Sequence, residues 1–240
     1  IKNDLDNLIA SLVFLDQVGL KPVILHGAGP MLSEALDQDK VAFSFIDGQR
    51  VTSAEVRDVA QSVFCKTNQL IVEALQSQGA KAQGLTSKIF ECKIAKPELG
   101  FVGEIQSVNE DLVSNILESD AIPVIAPIAQ DVTGGSGLNI NADLAAAAIS
   151  AAYEGSTLII MTDVAGIFRN WPDKNSLISE ISSSELSKLK SSFSDGMLPK
   201  VLAVLEAVDA GAQTVRIIDG TNEQSFEEAL SGRGGTLVHA

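Results

Sequence analysis

The chain has 240 residues, 45% of them hydrophobic, enough for one large α/β domain, or two lobes of one, around an ample core. Its 17 basic against 31 acidic residues leave a net charge of −14, which argues against nucleic acid as a partner and requires any anion site to gather cations and helix N-termini locally. Apolar runs fall far short of a membrane span, no signal-peptide pattern opens the chain, and Cys65 and Cys92 form no metal-type pair, so a cytoplasmic protein with no membrane partner is expected.

Residues 4–18 carry apolar side chains at helical spacing, with Asn3 as the expected N-cap and Gly19 as the stop. The run from Pro22 to His26 reads as a buried parallel strand, and His26-Gly-Ala-Gly-Pro30 turns it into the next helix. Residues 53–79 form one long amphipathic helix that ends at Gly79. The stretch from Lys81 to Asn109 is strand-rich, clearest over 89–94 and 102–108. Helix 110–119, strand 122–126, helix 142–153 and strand 157–161 then alternate in βαβ rhythm. The polar stretch from Arg169 to Ser184 is the most loop-like, while 184–191 and 199–210 read as helices and 214–218 as a late strand. The sum is an α/β fold, an open, mainly parallel sheet sandwiched by helices.

Five segments could carry chemistry. In the turn at 26–30, backbone N–H groups of Gly27 and Ala28 can approach an oxyanion at a helix N-terminus. It is not a dinucleotide fingerprint, because Pro30 and Met31 stand where that pattern continues. Alanine at 28 keeps its N–H and fits if φ there is negative; a positive φ would cost about 1 kcal/mol. In Gly48-Gln-Arg50-Val-Thr52, the arginine fork suits a planar carboxylate, against the plainer reading of a surface arginine. Asn139-Ile-Asn141-Ala-Asp143 precedes an alanine-rich helix, where an Asx cluster is expected for capping alone. Thr162-Asp163-Val-Ala-Gly166-Ile-Phe168 follows a strand at its carboxyl end, where open α/β sheets bind ligands, although a turn rich in Asp and Gly needs no ligand. Gly196-Met-Leu-Pro-Lys200 sets a lysine at a helix start, against the dipole, which points to a bound anion. No Cys or His cluster fits a metal site, and His26 reads as a turn residue rather than a base.

Together these motifs resemble the amino acid kinase family, and within it the acetylglutamate kinases, nearly from end to end. The resemblance implies the amino acid kinase fold, with residues 1–150 as an acyl-amino-acid lobe and 151–240 as a nucleotide lobe. It implies phosphoryl transfer from ATP, arriving with Mg2+ held largely by phosphate oxygens, to the γ-carboxylate of N-acetyl-L-glutamate, a step of arginine biosynthesis. By the same likeness Gly27 and Ala28 donate backbone N–H groups, Arg50 grips the substrate α-carboxylate, and Asn139 holds the acylamino group. Asp163, Val164, Ala165, Gly166, Ile167 and Phe168 would hold the nucleotide with the segment around Phe193. Lys200 would stabilise the transition state, and Asp143 would orient it. A homo-oligomer is expected. Family members open on a strand ending in Lys-x-Gly-Gly, whereas residue 1 here already stands at the threshold of a helix. Such a strand is therefore expected upstream of Ile1, and these 240 residues alone are expected to be inactive and aggregation-prone. Three alternatives remain open: a kinase of the one-carbon-longer acetylaminoadipate, the kinase half of a synthase–kinase fusion, and a non-catalytic amino-acid-sensing or oligomerisation module of the same fold.

Overall fold

The structure, a computed structural model, describes residues 2–132, 137–193, 197–212, 214–222 and 224–240, with side chains from Asp6 onward. Helix α1 (Lys2–Gln17) starts before the expected cap, so Asn3 lies inside it. Its end is set by glycine: Gly19 has φ +86, and the Leu20 N–H donates to the Leu15 carbonyl at 3.0 Å, the long bond of a Schellman motif. The chain divides into two compact units, Leu12–Ala145 and the residues up to Ser11 together with Ala146–Ala240.

The first unit runs through β1 (Ile24–Leu25), α2 (Gly29–Gln38), β2 (Phe45–Ile46), β3 (Gln49–Arg50), α3 (Ala54–Ser77), β4 (Ala82–Leu85), β5 (Phe90–Ile94), β6 (Gly103–Val108), α4 (Glu110–Glu118), β7 (Ile122–Ile125), β8 (Ile128–Asp131) and β9 (Leu138–Asn139) to the start of α5 (Ala142–Ala152). Strand β7 is buried at every position and flanked in parallel by β1 and β4, so it reads as an unbroken apolar run rather than an alternating one. Strand β5 pairs antiparallel with β6 and parallel with β8, which pairs antiparallel with β9. Helix α3 starts where Ser53 Oγ accepts the Val56 N–H at 3.2 Å and stops before Gly79, which has φ +90. Leu32 and Leu36 of α2 pack against Val56, Ala60 and Phe64 of α3 and against Ala126 and Ile128. Leu36 is fully buried there, and its truncation to alanine would cost about 2–5 kcal/mol.

The second unit holds β10 (Thr157–Thr162), β11 (Glu180–Ser182), α6 (Ser183–Leu189), α7 (Leu198–Asp209), β12 (Thr214–Asp219), α8 (Ser225–Leu230) and β13 (Thr236–His239). The sheet order is β10-β12-β13-β11. Strands β10 and β12 run parallel over their full lengths, β13 is antiparallel to β12, and β11 is parallel to β13. Parallel sheets with flanking helices are the expected class, the ladders being distributed between the units. Strand β11 falls inside the stretch expected to be loop. Among its three residues only Ile181 is buried, too short a pattern to show in a polar context. Among the described residues no helix is long and apolar enough to cross a membrane.

Candidate active site

Asp47 and Gly48, with φ of +49 and +75, close a two-residue hairpin between β2 and β3 and place Phe45 opposite Arg50. The Arg50 guanidinium therefore lies 4.3 Å from the ring centre of Phe43 and 4.6 Å from that of Phe45. Its Nη2 donates to Ser33 Oγ at 2.7 Å and to the Gly29 carbonyl at 3.4 Å. Arg50 is only 8% exposed, and its buried Nη1 has no hydrogen-bond partner among the described residues. Burial pulls its pKa down, with the Asp37 charge opposing, but a guanidinium stays charged in either case. A buried cation with an uncommitted N–H edge is costly unless an anion completes it, and a planar carboxylate fits that edge.

Thr52, wholly buried, ties Arg50 to Asn139. Its hydroxyl donates to the Arg50 carbonyl at 3.0 Å and accepts from Asn139 Nδ2 at 3.2 Å. Main-chain bonds from the Thr52 N–H to the Leu99 carbonyl, from Phe101 to Thr52 and from Asn139 to Phe101, at 2.8–2.9 Å, fix the same three segments. Gly100 is required between them: its φ is +69, and a Cβ would collide with the Thr52 carbonyl oxygen.

The turn at 26–30 meets this group from the strand side. Ala28 has φ −151, so the methyl adds no strain, and it is buried in the α2–α3 core. A Cβ on Gly27 would lie 3.7 Å from the Ala142 Cβ, which places the turn against the start of α5. Helix α2 begins at Gly29 with Pro30 in its first turn and no side-chain cap, leaving backbone N–H groups for an anion. At α5, Asn141 Oδ1 accepts the Leu144 N–H at 3.0 Å, so Asn141 does the capping. Asp143, half-buried in the first turn, is not needed for it.

In the second unit the loop after β10 is anchored by Thr236, which is wholly buried. The Ile167 N–H donates to Thr236 Oγ1 at 2.8 Å, that hydroxyl donates to the Ile178 carbonyl at 2.6 Å, and the Ile178 N–H returns to the Ile167 carbonyl at 2.8 Å. Gly166 has φ +152, and a Cβ there would stand 2.5 Å from Thr236 Oγ1, so the approach requires glycine. Ile167 and Phe168 are buried, Phe168 edge-on to Trp171 at 5.2 Å, Val164 is half-buried, and Asp163 and Ala165 are exposed. Phe193 is half-buried after a short helical turn at 190–192. Lys200 is the third residue of α7, behind Pro199 and with no side-chain cap on the helix, while Gly196 lies outside the described residues.

Gly27, Ala28, Arg50, Asn139 and Asp143 thus belong to one unit, and Asp163–Phe168, Phe193 and Lys200 to the other. Sequence reasoning missed Ser33, Phe43 and Phe45 around Arg50, the linking role of Thr52, and the anchor Thr236. The Asp-Gly pair and the Phe-x-Phe spacing could have signalled the hairpin; nothing local points from Ile167 to a threonine 69 positions away. Among the described residues no group of three His, Cys, Asp or Glu side chains could hold a metal ion.

A family model described as the Amino acid kinase family matches residues 2–219. An acetylglutamate kinase of Archaeoglobus fulgidus is 39% identical, over 98% of this chain and 87% of that protein. One of Streptomyces avermitilis is 38% identical, over 95% of this chain and 79% of that protein. In fold, N-acetylglutamate synthase from Neisseria gonorrhoeae, solved with coenzyme A and N-acetyl-glutamate, superimposes with a TM-score of 0.87 at 21% identity, over 99% of this chain and 56% of that one. On this match and these relatives, the chain belongs to the amino acid kinase family.

Proposed function

We propose that the chain transfers the γ-phosphoryl group of ATP to the γ-carboxylate of N-acetyl-L-glutamate, as a cytoplasmic, homo-oligomeric enzyme of arginine biosynthesis. The names of the relatives support this acceptor. The structural observation that carries it is Arg50, a buried cation held between two phenylalanines with one N–H edge uncommitted. In this reading residues 12–145 bind the acyl amino acid and residues 146–240 the nucleotide. Arg50 takes the α-carboxylate, and Asn139, steadied by Thr52, takes the acylamino group. The loop 163–168 and Phe193 hold the nucleotide. Mg2+, carried in by ATP, would supply neutralisation of phosphate charge, with no ligands from this chain assigned to it.

The reaction needs positioning and charge stabilisation more than proton transfer. An oxygen of the ionised γ-carboxylate attacks the γ-phosphorus, the bond from that phosphorus to the β,γ-bridging oxygen breaks, and the electron pair leaves with ADP. No proton moves, so no general base is required. In this reading the backbone N–H groups of Gly27 and Ala28 and the Lys200 ammonium are assigned to the charge spread over the transferring group, and Asp143 keeps the supporting role that the family resemblance gives it. Trapping the acyl phosphate with hydroxylamine, in the full-length protein, tests the reading. Hydroxamate should form with ATP and N-acetyl-L-glutamate, and far less with N-acetyl-L-2-aminoadipate. Preference for the longer acid would reassign the acceptor, and no hydroxamate from either would leave a non-catalytic module.

A further inference from the structure

Next to the turn at 26–30 sits a polar pair that the reaction as described does not use. His26 is 7% exposed and Asn68, in the middle of α3, is 3% exposed. Asn68 Nδ2 donates to the Val124 carbonyl at 2.8 Å and lies 3.2 Å from His26 Nε2. The Val124 carbonyl fixes the amide's orientation, because turning Oδ1 toward it would set two acceptors face to face. One Nδ2 hydrogen is then spent on Val124 and the other points at Nε2, which must accept it. Nε2 therefore carries no proton, and the ring is neutral with its N–H on Nδ1. Gly84 of β4 makes room for this: a Cβ there would collide with Asn68 Oδ1.

The Nδ1–H is buried and has no hydrogen-bond partner among the described residues. Burial lowers the pKa of the ring, with the Gly27 backbone opposing. The pair ties the first residue of the turn at 26–30 to α3 and, through the Val124 carbonyl, to β7.

We infer that Asn68 and His26 are a positioning pair: Asn68 holds His26 in its Nδ1–H form, and this tie to α3 and β7 fixes the first residue of the turn whose Gly27 and Ala28 N–H groups serve the transferring phosphoryl group. The catalytic half of this rests on the proposed function; the tautomer does not. His26 and His239 are the only histidines, so nitrogen-15 imidazole spectra of the wild-type chain hold two rings, and His239→Gln identifies the second. His26 should be neutral, protonated at Nδ1, at pH 6.5, the ordinary imidazole value. Asn68→Asp replaces the donor with an acceptor and should move a proton onto Nε2. It should lower kcat about 10–100-fold, as small misplacements do, with the KM for ATP nearly unchanged. Gly84→Ala, which crowds the Asn68 amide from another strand, should produce the same pair of changes.

A wild-type His26 that is mostly cationic at pH 6.5, or carries its neutral-form proton on Nε2, overturns the inference without any variant. So does an Asn68→Asp or Gly84→Ala chain with the inverted ring and normal kcat. A chain that shows the tautomer but makes no acyl phosphate overturns the proposed function and the catalytic half together. An active chain with the wrong tautomer overturns this inference alone.

Discussion

At the scale of single residues, Arg50 shows what a motif conveys and what it omits. Its identity and the Gly-x-Arg-Val-Thr pattern were enough to nominate a carboxylate clamp. The two rings beside it and the Ser33 hydroxyl come from other segments, brought in by a two-residue turn and a helix, and local spacing does not encode their approach. Arg50→Lys keeps the charge but loses the planar fork and the stacking. Calorimetric titration should show N-acetyl-L-glutamate binding weakened about 10–100-fold, the worth of a charged hydrogen bond, with ATP affinity little altered. Equal weakening of both ligands would make Arg50 a structural residue. Lys200 is argued from its place against the α7 dipole. Lys200→Met should cut kcat by about 10²-fold or more while moving either KM little, because its charge acts mainly in the transition state. Near-normal turnover would remove it from the mechanism.

At the scale of elements, legibility followed length and burial. The long helices, their glycine stops and the buried strand β7 were readable, since each repeats one signal over many residues. Strands β2, β3, β8, β9 and β11, two to four residues each, were not, because their stability comes from partners distant in sequence. The cluster at 139–143 carried two readings that local pattern left open, and the helix divides them, with Asn141 capping. The loop after β10 gives the sharpest test at this scale. Thr236→Val keeps the shape but leaves the Ile167 N–H and the Ile178 carbonyl buried without their partner, at about 1–3 kcal/mol for each. Thermal unfolding should drop accordingly and the KM for ATP should rise, whereas Thr236→Ser, which retains the hydroxyl, should largely restore both. An unaltered KM in a destabilised Thr236→Val chain would separate this loop from the nucleotide.

For the whole molecule, stability should respond to pH in an uncommon direction for so acidic a chain. Burial lowers the His26 pKa below its ordinary 6.5, so on acidification the unfolded chain takes up a proton that the folded chain refuses. Stability from this group is thus present above about pH 6.5 and falls as pH drops, by at most about 1.4 kcal/mol per unit, until the folded pKa is reached. Ordinary carboxylate pKa values lie at about 4, below this range, so relief of the −14 self-repulsion is expected only at lower pH. Urea midpoints should decline between about pH 7 and pH 5.5, and equally so in His239→Gln. Midpoints that hold level or rise across that window would mean that His26 is not buried in solution.

The family match ends at residue 219, yet the hydroxyl that fastens the loop at 163–168 belongs to residue 236. A survey of natural variants scored only on motif positions would pass a stop codon at position 236 as harmless. Such a stop would remove β13, release both Ile167 and Ile178, and strip the neighbouring β11 and β12 of a shared partner. Loss of β13 should therefore be as damaging as a substitution in the loop at 163–168 itself.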